Sequence, residues 1–139
     1  SIIEFVKKVF SNHNEITLSE NSTLPVDRIE TEYTLSELPE EYELTTYEKD
    51  EIGVFSRWKS SVDESEIVFS QDILLVNMSI DNEHNYREIT VNGYNAYLNQ
   101  YEFNTCLTWT DGNYLFTLNI PNSLDIDITE FAKNIVEKN

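Results

Sequence analysis

Arg87–Ile120 reads REITVNGYNAYLNQYEFNTCLTWTDGNYLFTLNI, and its pattern sets the architecture of the chain. Apolar and aromatic residues alternate with polar ones over Arg87 to Val91, Ala96 to Phe103, Thr105 to Thr110 and Tyr114 to Ile120. A period of two places successive side chains on opposite faces of a pleated strand. Asn92-Gly93 separates the first pair of runs and Asp111-Gly112-Asn113 the second. Asn and Gly tolerate the positive φ of tight turns, so these runs fold back as antiparallel hairpins.

The same alternation recurs upstream. Ile29, Thr31, Tyr33 and Leu35 alternate with Glu30, Glu32 and Thr34, which predicts a strand. Leu38-Pro39-Glu40-Glu41-Tyr42 reads as a turn; Tyr42 to Lys49 and Val54 to Lys59 then form a hairpin across Asp50-Glu51-Ile52-Gly53. A polar turn at Ser60 to Ser65 leads into a strand over Glu66 to Gln71. Ile73 to Ile80 begins apolar on both faces, which suits a central strand and a short helix equally.

Helical signals sit at the two ends. Ile2, Phe5, Val6 and Val9 fall at helical spacing among Glu4, Lys7 and Lys8, predicting a short amphipathic helix over Ile2 to Phe10. Residues 11–28, rich in Ser, Asn, Thr and Glu, read as a polar linker. Near the C-terminus Asp127 is placed to cap a helix, Glu130 follows as in a capping box, and Ile126 can staple onto Phe131. Phe131, Ile135 and Val136 would give that helix its apolar face, with Lys133 and Lys138 favouring its C-terminal end. The organisation predicted is a helix and linker over 1–28 and a single α+β domain over 29–139. That domain would be an antiparallel β-sheet of consecutive hairpins packed against a short N-terminal and a C-terminal helix.

Composition bounds the function. A chain of 139 residues, 40% hydrophobic and 12% aromatic, can bury one core without disulfides or metals. Cys106, the only cysteine, lies in a predicted strand and reads as a buried, inert thiol. Asp and Glu number 26 against 9 Lys and Arg, a net charge of −17. Such a surface repels phosphate backbones and anionic headgroups, which speaks against nucleic-acid binding and leaves a basic protein or a cation open. No apolar stretch is long enough to span a bilayer, and no signal peptide is visible.

No catalytic residues are predicted. His13 and His84 both fall in polar loops, and neither accompanies a nucleophile motif. The paired Cys or His of a zinc site are absent from the sequence. Oxygen-rich clusters at Asp81-Asn82-Glu83 and at Asp125 with Asp127 could meet calcium, but neither matches an EF-hand loop and Asp127 has a capping role. No metal and no cofactor is expected. The candidate partner-binding surface is aromatic: Tyr97, Tyr101 and Phe103 share one face of the run from Ala96 to Phe103. Tyr suits such surfaces because it offers apolar area and a hydroxyl together. The competing reading is cross-strand packing of rings within the sheet.

Several segments resemble the bacterial domain of unknown function 4367 family. The likeness lies in Tyr33-Thr34-Leu35 with Leu38-Pro39-Glu40-Glu41-Tyr42-Glu43-Leu44, in Val91-Asn92-Gly93-Tyr94-Asn95-Ala96-Tyr97, and in Leu107 to Leu118 with the short helix after it. It covers roughly residues 30–139, with Glu41 standing where the family typically has Gly. The resemblance implies no catalytic residues. It implies the extracytoplasmic part of a single-pass membrane protein, mostly of Gram-positive bacteria, with the membrane segment preceding Ser1. The expectation is a non-enzymatic, membrane-tethered extracytoplasmic domain that binds a peptide, protein or cell-envelope component. The alternative is a small acidic inhibitor or immunity-type protein that binds a basic protein partner.

Overall fold

The computed structural model describes residues 15–16, 26–74, 78–79 and 86–138, and at 15–16, 78–79 and 86 the backbone alone. In chain order come β1 (Glu15–Ile16), β2 (Tyr33–Leu35), β3 (Tyr42–Lys49), β4 (Gly53–Ser60), β5 (Glu66–Ile73) and β6 (Met78–Ser79). They are followed by β7 (Tyr86–Val91), β8 (Tyr94–Gln100), β9 (Asn104–Thr110), β10 (Tyr114–Pro121), α1 (Ile128–Phe131) and β11 (Ile135–Glu137). A 3₁₀ turn, Ala132–Asn134, joins α1 to β11.

Seven strands form one antiparallel sheet in the order β3-β4-β5-β10-β9-β8-β7. Two blocks of consecutive hairpins, β3-β4-β5 and β7-β8-β9-β10, meet where β10 pairs with β5. The hairpin signals are local, so they produced the blocks; the seam between them is a long-range pairing.

One face of the sheet carries the main core. Trp58, Ile67, Phe69, Leu107, Trp109, Phe116 and Leu118 alternate inward from their strands and are buried with Phe131 and Ala132 of the C-terminal segment. Phe116 is the hub of the rings: Tyr33 meets it edge-on at 5.3 Å, Trp109 stacks at 5.4 Å and Phe69 at 6.1 Å. Such pairs add to burial through the quadrupoles of the rings. The opposite face is buried at its centre as well, at Tyr97, Thr108, Thr110 and Leu115.

Buried polar groups fasten the chain leading into β2. Gln71, fully buried, accepts from the Tyr33 N–H at 3.0 Å and donates to the Thr31 carbonyl at 2.7 Å. The Tyr114 hydroxyl accepts from the N–H groups of Glu30 and Thr31. Residues 29–32 are held by these side chains and by single backbone bonds, the Ile29 N–H donating to the Glu51 carbonyl and the Lys138 N–H to the Glu32 carbonyl. The strand predicted over Ile29 to Leu35 shrinks to Tyr33–Leu35.

The C-terminal segment departs further from expectation. Asp127 caps α1 as predicted, its Oδ1 accepting from the Thr129 N–H at 2.8 Å. The helix lasts only four residues, and Ile135–Glu137 then pairs antiparallel with β2 as a two-stranded sheet. The β-branched pair Ile135-Val136 suits an extended chain, and β2 offers it backbone partners that a helix would leave unmet. Helix propensity is overridden by a tertiary contact.

Three other expectations need restating. Glu15–Ile16, inside the predicted linker, pairs with Met78–Ser79. The N-terminal helix predicted at Ile2 to Phe10 lies outside the described residues. The class is consequently mostly antiparallel β with one short C-terminal helix, and α+β holds only in part.

Candidate functional site

Asn92 and Gly93 adopt φ of 50° and 84°, the left-handed pair that a two-residue hairpin turn requires. That turn sets the β7–β8 register, with Ile89 opposite Ala96 and Arg87 opposite Leu98. Leu98 in turn faces Leu107 on β9, and Thr105 faces both Gln100 on β8 and Ile120 on β10. Directly opposed residues share a face, so Arg87, Leu98, Gln100, Thr105 and Ile120 line up across the inner side of the sheet near one end.

The chain leaving β10 builds a wall over this row. Asn122 fixes it to the β8–β9 turn: its N–H donates to the Phe103 carbonyl at 2.9 Å and its Nδ2 to the Tyr101 carbonyl at 2.9 Å. The Thr105 hydroxyl donates to Asn122 Oδ1 at 2.6 Å. Backbone bonds from Leu124 to Pro121 and from Ile126 to Leu124 carry the wall into the Asp127 cap. Between wall and sheet lies a cleft of about 500 Å³ whose lining includes Arg87, Leu98, Ile120, Leu124, Asp125 and Ile128. Ligand sites commonly occupy roughly 300–1,000 Å³, and polar and charged side chains, Gln100, Thr105, Asn122 and Thr129 among them, make up most of this lining.

The charges in the cleft are arranged asymmetrically. Arg87 is exposed at the β7 margin. Every other described Lys or Arg has a carboxylate within salt-bridge reach, and Arg87 has none among the described residues. Asp125 is exposed on the opposite wall, and Asp127 is engaged as the helix cap. The cleft therefore carries a cation, Arg87, with no carboxylate partner among the described residues, and a carboxylate, Asp125, across from it.

The aromatic surface predicted at Tyr97, Tyr101 and Phe103 does not assemble. Tyr97 is 1% exposed, with its hydroxyl 3.5 Å from Glu88. β8 ends at Gln100, so Tyr101 and Phe103 belong to the turn that the Tyr101 N–H closes on the Asn104 carbonyl. Tyr101 is half-buried there and Phe103 is 77% exposed. A strand run past its true end placed three residues on a face that only Tyr97 occupies.

The other sequence candidates divide similarly. Asp125 and Asp127 both line the cleft, but no group of three potential metal ligands forms among the described residues. Asp81, Glu83, His13 and His84 lie outside those residues. Cys106 is half-buried, and burial pushes its thiol up from the ordinary value. Arg87 went unnoticed in the sequence, although a signal existed: it is the sole Lys or Arg between Lys59 and Lys133.

A family model described as a domain of unknown function (DUF4367) matches residues 32–137. The chain belongs to the DUF4367 family. No curated protein and no solved structure matches it. The matched span of the DUF4367 domain takes in the seven-stranded sheet, the β2–β11 pair and the whole cleft.

Proposed function

We propose that this DUF4367 domain is a non-enzymatic, extracytoplasmic part of a membrane-tethered bacterial protein that binds a peptide, protein or cell-envelope component in the cleft beside β7. The observation that supports binding is the cleft: a mostly polar lining from Arg87, Gln100, Asn122, Asp125 and Thr129 around the apolar Leu98, Ile120 and Ile128. The polar groups fix a ligand's orientation through hydrogen bonds, and the apolar side chains between them add burial. Location and tethering follow from what the family likeness implies.

The test is an NMR titration of the ¹⁵N-labelled domain with two probes, peptides selected from a random phage-displayed library and solubilised cell-wall fragments. At least one should shift the amides of 87–91 and 122–129, and the shifts should vanish in Arg87→Glu. Silence from both probes, or shifts elsewhere only, overturns the reading. A basic protein captured through another surface would favour the inhibitor alternative. Protease added to intact cells should digest the domain in the full-length gene product; digestion only after lysis overturns the tethering.

A further inference from the structure

We infer that β7 receives an extended peptide by strand addition, with an acidic residue opposite Arg87 and an apolar residue opposite Ile89. The inference rests on the cleft being a binding site and assigns both the mode of binding and the chemistry of the ligand.

A two-residue hairpin makes the flanking residues, Val91 and Tyr94, a hydrogen-bonded pair. Alternation along the ladder makes Ile89/Ala96 and Arg87/Leu98 hydrogen-bonded pairs as well. Glu88 and Thr90 then point their N–H and C=O groups away from β8. Among the described residues β7 has one neighbour, β8, and Arg87, Glu88 and Thr90 are exposed. A regular edge of this kind is a template for another strand.

The side chains say what that strand should carry. In an antiparallel addition, the residues opposite Arg87 and Ile89 project on the inner side of the sheet, where the cleft opens. A carboxylate opposite Arg87 would give this guanidinium the partner that it lacks among the described residues. Ile89 is half-buried and packs against the core, so an apolar residue opposite it continues the core outward. The two positions are two residues apart in the peptide, and antiparallel addition meets Ile89 first, so the pattern read from N to C is apolar-x-acid.

Selection of random displayed peptides on the intact domain tests this directly. The enriched peptides should carry the apolar-x-acid pattern, and reversing their acid to Lys should weaken binding at least about fivefold. Thr90→Pro removes an outward N–H and leaves the β7–β8 bonds in place, so it should weaken binding about tenfold or more without altering the circular dichroism spectrum. N-methylation of alternate peptide N–H groups leaves the protein untouched and covers the case in which the proline variant misfolds. One parity should abolish binding and the other spare it.

Equal sensitivity at both parities, or full binding to folded Thr90→Pro, overturns strand addition. If that binding is still lost in Arg87→Glu, the cleft remains the site and only the mode is wrong. Failure to select any peptide that depends on Arg87 overturns the peptide ligand altogether, while the cell-wall titration still decides the broader reading.

Discussion

At one edge of the sheet, β3 shifts register between Leu44 and Thr46, and Glu32 draws Tyr47, Lys49 and Lys138 together beside it. At the other, β7 runs six residues in unbroken register with β8 and leaves Arg87, Glu88 and Thr90 exposed. The β3 edge is twisted by its bulge, charged by Glu43, Glu48 and Lys49, and clasped through Glu32 to Lys138, the residue after β11, whose ammonium lies 4.2 Å above the Tyr47 ring. Unpaired edges invite association, and bulges and charges are the usual protections. The difference teaches that the two edges of one sheet can be built unlike, one guarded by a bulge, charges and a clasp, the other regular along its length.

The hardest way to break the comparison is to remove what both edges share. Phe116→Ala empties the centre of the ring cluster and should cost about 3–5 kcal/mol in urea unfolding. Hydrogen exchange should quicken in β3–β4 and β7–β8 alike. Loss of protection on one side only would mean that the sheet is not a single cooperative unit.

Gln71→Ala acts on the protected side. It leaves the Tyr33 N–H and the Thr31 carbonyl without their partner, at a cost of about 1–3 kcal/mol. Protection should fall at β2 and β11 before it falls at β7, as amide exchange resolved by residue would show.

Glu32→Gln tests the clasp more gently, at about 1 kcal/mol near neutral pH. Burial works to raise the Glu32 pKa, but hydrogen bonds from Tyr47, Lys138 and Lys49 outweigh it and hold the carboxyl below its ordinary value of 4.5. A lowered pKa stabilises fully above the unfolded value and loses that contribution as pH falls through the folded one. The stability gap between parent and variant should therefore close below about pH 4.5. A gap that persists in acid would show that Glu32 acts through shape and not charge.

The smallest effect is expected at β7. Arg87→Glu should change the unfolding free energy by less than about 0.5 kcal/mol, because Arg87 is exposed and has no ion pair among the described residues. A large loss in a thermal melt would make Arg87 a structural residue and dissolve the contrast between the edges.

Much of this was legible in the chain. The hairpin at Asn92-Gly93, the turn at Asp111-Gly112-Asn113 and the Asp127 cap depend on φ preferences and on side chains reaching two or three residues along, so neighbouring residues suffice to specify them. The period of two likewise puts Leu107 with Trp109 and Phe116 with Leu118, and the β9–β10 register brings the two pairs to one face. Arg87 could have been singled out by its isolation among acidic residues. Its companions in the cleft could not, since Leu98 and Ile120 meet only through β9.

What tertiary structure alone decided is of a different kind. Ile135–Glu137 is a strand because β2, a hundred residues earlier, offers a ladder to it. Tyr97 is buried, and Phe103 exposed, because β8 stops at Gln100 and the sheet is covered at its centre on both faces. The β5–β10 seam and the wall pinned by Asn122 belong to the same class. Local sequence carries turn chemistry and facing, because these are settled within a few bonds. Pairing partners, covered faces and clefts depend on which distant segments bury together, and no window of neighbouring residues contains that information.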